Sequence, residues 1–357
     1  MIELGISHDT SPFEVRALLD EEGRLTVDCA RQALMLLESE GLVIITDLLS
    51  TEEANKGSDL VRNAIQDPDR DHCAFASETD NRFKRRDFCS LPSSPDVIGF
   101  SATLCKRLES VLAQYCGRAH RLLEVTTLTS YLGSSHQYIH RDPSGVISFF
   151  VSVEDIKEEQ GGTIFVPRTQ LDGVMGQEHD NPSLEAMTLF RARCNFCILR
   201  YNLAKLLRML QDEGSTLAPG EFRERVFSTQ WDEHQPNLLR YMMGKNSQFS
   251  VRDLSPDFLW KLFRQRDAFG RGFHIVKTAP RKGTVIIYKS DMLHAGPDNR
   301  SLTPRRFFSM SFAREMIATK SWHTGYSPHP TLKASPISFG DLLDYPLTPS
   351  LNKADCV

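Results

Sequence analysis

The chain has 357 residues, 40% of them hydrophobic and 25% charged, which is enough apolar mass to bury a large core and marks an ordinary globular protein. A formal net charge of −4 leaves no basic surplus for a phosphate backbone, so nucleic acid is not an expected partner. The start, "MIELGISHDTSPFEVRALLDEEGR", lacks the order of a secretory signal and no run approaches about 18 apolar residues, so no membrane association is expected and the expected location is cytoplasmic.

In chain order, "LTVDCARQALMLLESEG" has apolar residues at helical spacing and stops at Gly41; "LVIITDLL" is a β-branched strand; "STEEANKGSDLVRNAIQ" restarts a helix with Ser50 as N-cap. The polar stretch 66–98, rich in Asp, Arg, Ser and Pro, reads as a surface loop, and "FSATLCKRLESVLAQYCGR" as an amphipathic helix ending near Gly117. Residues 1–121 therefore form a helical N-terminal region.

From Leu122 the period changes. "LLEVTTLTSYLG", "GVISFFVSVED" and "GTIFVPRTQ" are short β runs bounded by Gly, Pro and Asp, and "GFHIVKTAP", "GTVIIYKSD" and "RRFFSMSFAREM" repeat the pattern later. The two clusters, 122–170 and 270–316, are expected to form one jelly-roll core, mainly β with flanking helices, inside a single catalytic domain spanning 1–357. Between them, 171–269 reads as a large helical insertion: "SLEAMTLFRARCNFCILRYNLAKLLRMLQDEG", then "SPDFLWKLFRQRDAF" opening on Ser255 and Pro256. This insertion is expected to build a lid or a homodimer surface. Residues 317–357 form a Pro-rich tail expected to fold back over the barrel. The eight cysteines show no framework and read as reduced thiols; Cys194 and Cys197, a lone CxxC, read as buried helix positions.

The segment "SHQYIHRDPSG", 135–145, concentrates chemistry. If it is extended, His140 and Asp142 leave one face and Arg141 the other. One imidazole and one carboxylate hold a divalent metal poorly, which directs the search to a returning strand. In "GTVIIYKSDMLHAGPDNRSLTPRRFFSMSF", His294 follows a strong strand, and a second strand opens with Arg305 and Arg306. Two imidazoles and a carboxylate make the facial triad of non-heme Fe(II) centres, which leaves coordination positions open. On the last strand Arg305, Phe307, Ser309 and Ser311 share one face, and Phe308, Met310 and Phe312 the other. A guanidinium on the first face suits a bidentate pair with a carboxylate.

These fragments resemble, in order, the phytanoyl-CoA dioxygenase-like Fe(II)/2-oxoglutarate oxygenases. "HQYIHRD" looks like that family's Q-x-x-H-x-D, "EEQGGTIFVPRTQ" is similar to its glycine-threonine segment, and "HAGPDNRSLTPRR" resembles its distal histidine motif, with Arg305 eleven residues after His294. The resemblance implies Fe(II) held by His140, Asp142 and His294, 2-oxoglutarate held by Arg305 with help from Gln137 and Thr163, and O2 as co-substrate. It implies oxidation of an unactivated C–H of a small molecule by hydroxylation, desaturation or ring closure, on an amino acid or natural product of specialised metabolism. Halogenating relatives replace the carboxylate, and this chain keeps Asp142. The chain departs from the family in its 154-residue separation of His140 from His294, in "PRTQ" where the family has a terminal histidine, and in its tail. The tail segment "SPISFGDLL" resembles a fungal branch that closes an aziridine ring on an amino acid, and there Ile337 and Phe339 are expected to line an apolar pocket.

His136, with Tyr138 rather than a carboxylate two residues on, reads as a surface or supporting residue. Two other functions share the triad. A protein or histone demethylase or hydroxylase usually grips 2-oxoglutarate with a lysine and carries a reader module, and neither is seen here. A catalytically inactive metal-binding scaffold would keep the fold alone.

Overall fold

In the computed structural model the described residues are 6–70, 86–171, 184–212, 273–313 and 328–347. The N-terminal region contains β1 (Ile6–Ser7), β2 (Glu14–Arg16), α1 (Val27–Ser39), β3 (Leu42–Thr46), α2 (Thr51–Gln66), β4 (Arg86–Ser90), α3 (Pro95–Arg107) and α4 (Glu109–Leu112). Local chemistry explains the boundaries. Ser50 and Glu53 close a reciprocal capping box at the start of α2, and Ser94 caps α3 with Pro95 at its first position. Then follow β5 (Arg121–Ser130), β6 (Val146–Ser152), β7 (Ile164–Phe165), α5 (Leu184–Asp212), β8 (Ile275–Lys277), β9 (Val285–Lys289), β10 (His294–Ala295), β11 (Arg305–Ala313), α6 (Pro330–Ala334) and α7 (Phe339–Asp344).

Two sheets result. The larger has the order β2-β3-β9-β6-β11-β5-β4 and the smaller β1-β8-β7-β10, to which His140 adds an isolated bridge opposite His294. From β5 onward the chain crosses repeatedly between the sheets, and β11 lies between β5 and β6, so the two predicted β clusters close into one jelly roll.

Alternation along β11 divides the interior. Phe308, Met310 and Phe312 pack outward in a cluster under α1, α2 and α3, while Phe307 packs inward with Phe150, Ile286, Phe165 and Val276 from both sheets. A third cluster, including Ile164, Ala295, Ile139, Phe190, Cys194 and Ile198, fixes α5 against the outside of the smaller sheet. Cys194 is buried there, as its helical spacing predicts.

The stretch 66–98 corrects the loop expectation in part, because β4 pairs along β5 and α3 begins at Pro95. "RDFCS" carries little strand propensity of its own, and its partner strand decides it. Of the expected insertion, only α5 falls among the described residues; "SPDFLWKLFRQRDAF" lies outside them. Among the described residues no helix is long and apolar enough to cross a membrane.

Candidate metal centre

Two arms of chain build the site. Residues 137–142 run antiparallel to 290–296: Gln137 N–H donates to Gly296 O at 2.9 Å, His140 and His294 exchange backbone hydrogen bonds of 3.0 Å each, and Asp142 N–H donates to Ser290 O at 2.9 Å. His140 and His294 are therefore directly opposed, with ring centroids 4.4 Å apart. One ligand atom each from His140, Asp142 and His294 lies within 4.8 Å of the others, and His294 Nε2 stands 3.5 Å from an Asp142 carboxylate oxygen. Both imidazoles are oriented alike. His140 Nδ1 faces Tyr138 O at 2.7 Å and His294 Nδ1 faces Met292 O at 2.9 Å. A carbonyl only accepts, so each ring carries its proton on Nδ1 and offers the Nε2 lone pair to a metal. Arg141 leaves by the other face and is buried, its guanidinium donating to Thr169 O and to Asp291 O.

The arms end near a row of basic residues. Arg86, Ser130 and Arg305 are register partners across β4, β5 and β11, on the inner face. Both guanidinium groups donate to Ser130 Oγ, Arg305 at 2.9 Å and Arg86 at 3.1 Å, and both reach Pro297 O. Arg305 has no exposed surface, and its Nε has no hydrogen-bond partner among the described residues. Burial, then the charge of Arg86, pushes its pKa down to about 9, with Asp298 acting against them. Asp298 is occupied elsewhere, accepting from Tyr201 Oη at 2.7 Å and Lys205 Nζ at 3.2 Å. Among the described residues, this end of the site thus holds more cation than anion. Gly296 lets Gln137 and Arg305 approach the backbone here: a Cβ there would lie 2.4 Å from Gln137 Oε1 and 3.3 Å from Arg305 Nη2.

Gln137 reaches this region, with its Oε1 accepting from Gly296 N–H at 2.6 Å, so it pins the two arms together. Thr163 is buried, its backbone N–H and C=O both bonded to Thr278, and it shares the inward face with Phe165. The preceding Gly162 has φ +48°, and a Cβ on it would come within 1.7 Å of Thr278 O, so only glycine lets the chain approach this closely.

Ile337 and Phe339, the expected pocket lining, lie at the start of α7. Phe339 packs edge-on against Phe312, and Ile337 O accepts from Leu122 N–H, both within the cluster on the outer face of the larger sheet. The tail supplies core there, because apolar alternation selects a buried face without saying which one. His136 is corrected from the surface reading: it is buried, with Nδ1 2.7 Å from Gln137 O.

Three residues escaped the sequence reading. Arg86 lay in the presumed loop. Asn195 of α5 is fully buried and bonds both backbone groups of Ile139, accepting from N–H at 2.7 Å and donating to O at 2.9 Å, immediately before His140. Tyr288, on β9, places its ring 5.1 Å from that of His294. A polar residue inside an apolar helix was the only available sign, and it applied to Asn195 alone.

No protein-family model and no curated protein matches the chain. Among solved structures, the non-heme α-ketoglutarate-dependent epimerase SnoN from nogalamycin biosynthesis is 12% identical over 81% of this chain and 84% of its own, with a TM-score of 0.45. The non-heme α-ketoglutarate-dependent carbocyclase SnoK from the same biosynthesis is 12% identical over 83% and 87%, also at 0.45. HygX from Streptomyces hygroscopicus, with nickel and 2-oxoglutarate bound, is 15% identical over 82% and 88%, at 0.40. At those values the likeness says nothing of this chain's reaction.

Proposed function

We propose that this chain is an Fe(II)- and 2-oxoglutarate-dependent oxygenase acting on a small molecule, in the manner of the phytanoyl-CoA dioxygenase-like family. One observation carries the reading: two imidazoles and a carboxylate from chain segments 154 residues apart converge beside a fully buried arginine whose Nε lacks a partner among the described residues. The donor set suits Fe(II), since three neutral or singly charged N/O ligands leave positions for a chelating co-substrate. His140, Asp142 and His294 would hold the metal. Arg305, aided by Arg86, Gln137 and Thr163, would take the distal carboxylate of 2-oxoglutarate, and a carboxylate is what a buried guanidinium held by neutral acceptors, as Arg305 is among the described residues, needs. When bound, the metal with 2-oxoglutarate and O2 supplies an oxidant strong enough for an unactivated C–H, with succinate and CO2 as co-products.

The chain's own residues supply order. Asn195 and Gln137 fix the arms, the two backbone carbonyls set the imidazole tautomers, and the apolar cluster of Phe165, Phe307 and Tyr288 keeps water from the inner wall. Anaerobic addition of Fe(II) and 2-oxoglutarate to the purified chain is expected to give the weak visible charge-transfer band of the chelate. His140→Ala is expected to lose it. Wild-type protein that binds metal yet shows neither the band nor succinate formation would reduce the chain to a metal-binding scaffold.

A further inference from the structure

On the side away from the barrel interior, the arm that carries His140 and Asp142 is backed by α5. Met187, Arg191 and Asn195 are spaced four residues apart, so they form one stripe down that helix. The two outer members touch the arm: Met187 Sδ accepts from Arg141 Nη2 at 3.0 Å, and Asn195 bonds both backbone groups of Ile139. Arg191 stands between them on the same stripe and therefore faces the arm as well. All three side chains are buried.

The two guanidinium groups at this contact are treated differently by their surroundings. Arg141 is well supplied: it donates to Thr169 O and Asp291 O, and the negative charge of Asp291 acts on it. Arg191 is not. It is 4% exposed, and its Nε has no hydrogen-bond partner among the described residues. Among those residues the charge that acts on it is that of Arg141, of the same sign, and no carboxylate offsets it. Burial, then Arg141, pushes its pKa down to about 10, which still leaves it charged at neutral pH. A buried cation that faces a second cation is strongly unfavourable until an anion sits against it.

We propose that Arg191, backed by Arg141, is a second anion site, behind the metal arm, and takes the carboxylate of a small monoanion. Neither residue belongs to the triad or to the row of Arg86 and Arg305, so this site stands apart from the oxygenase reading. A guanidinium presents its N–H donors as a planar fork, which matches the two oxygens of one carboxylate. Among the described residues two guanidinium groups here meet one carboxylate, Asp291, so a single negative charge is wanting. A phosphate dianion would bring more charge than that and meet Asp291 as a like charge. Arg141 lies in sequence between His140 and Asp142, so an anion held here sits behind the segment that supplies two of the three metal ligands.

The test follows the melting temperature of the full, metal-free chain as sodium acetate, inorganic phosphate or sodium chloride is added at matched ionic strength. Acetate is expected to raise it saturably, beyond either control. Arg191→Gln is expected to raise the acetate concentration at half effect by roughly tenfold or more, since it removes a charge-assisted pair. Arg305→Gln is expected to keep the wild-type response. Absence of a response to acetate, an equal response to chloride or phosphate, or an unchanged response in Arg191→Gln overturns the proposal. A response lost in Arg305→Gln and kept in Arg191→Gln would assign acetate to the arginine row and overturn it too. Should Arg191→Gln fail to fold, Arg191→Lys replaces it, keeping the charge and losing the fork: acetate binding weaker by roughly threefold supports the site, and no change sinks it. The oxygenase reading is tested on iron and 2-oxoglutarate, so the two failures are read on separate ligands.

Discussion

A guanidinium with no exposed surface destabilises a fold unless an anion sits against it. Among the described residues Arg305 is in that position with only neutral hydrogen-bond acceptors and a second guanidinium, Arg86, on the same serine. On the proposed reading, a ligand rather than stability accounts for its presence. Arg305→Gln is expected to melt no lower than wild type without co-substrate, yet to raise the 2-oxoglutarate KM by roughly tenfold to a hundredfold. A lower melting temperature in the unliganded variant would assign Arg305 to the scaffold instead.

His136 makes a pH prediction. Burial pushes its pKa down to about 4, against the pull of Gln137 O and Asp298, so it is neutral in the folded chain. The unfolded chain binds a proton near pH 6.5, which the folded state refuses, so stability falls as pH drops below 6.5 and continues to fall to about 4. Denaturant unfolding at pH 7 and pH 5 is expected to differ by about 2 kcal/mol from this residue, and His136→Gln to remove that part of the slope. An unchanged slope in the variant would show that His136 titrates normally.

At the scale of elements, α5 holds the metal arm in place. Asn195 completes both backbone groups of Ile139 as a neighbouring strand would, and Lys205 donates to Ser134 O and Asp298 at the other end of the arm. Asn195→Ala leaves a buried N–H and C=O without partners, which costs about 2–4 kcal/mol. It is also expected to weaken Ni(II) binding by roughly tenfold, as loss of a supporting shell does elsewhere. Titration calorimetry checks this; full metal affinity in a destabilised variant would separate helix docking from ligand placement. The capping box of α2 offers a control remote from the centre, where Ser50→Ala should cost about 1 kcal/mol and leave metal binding unchanged.

At the scale of the whole molecule, the centre joins segments on either side of α5. A metal bound only by the folded state stabilises by about 2.7 kcal/mol at a hundredfold excess over its Kd. Ni(II) is expected to raise the melting temperature of wild type and to do nothing for His294→Ala, since the two remaining ligands lie on one short segment. A retained rise in that variant would place the ion elsewhere.

Much of this protein is determined by its sequence alone. Alternation along 305–313, the cap at Ser50, and the spacing of His140, Asp142, His294 and Arg305 need only local periodicity and coordination chemistry, which are properties of neighbouring residues. What tertiary structure decided is which distant faces meet. Arg86 joins Arg305 only because β4 adds to β5; Glu124 gains its surroundings only by register with Ser311 and Ser148; and Phe339 turns to the outer core because an aromatic face was waiting at Phe312. Strand pairing and burial are cooperative across long separations, so a single sequence shows that a side chain will be buried and leaves its companions to the fold.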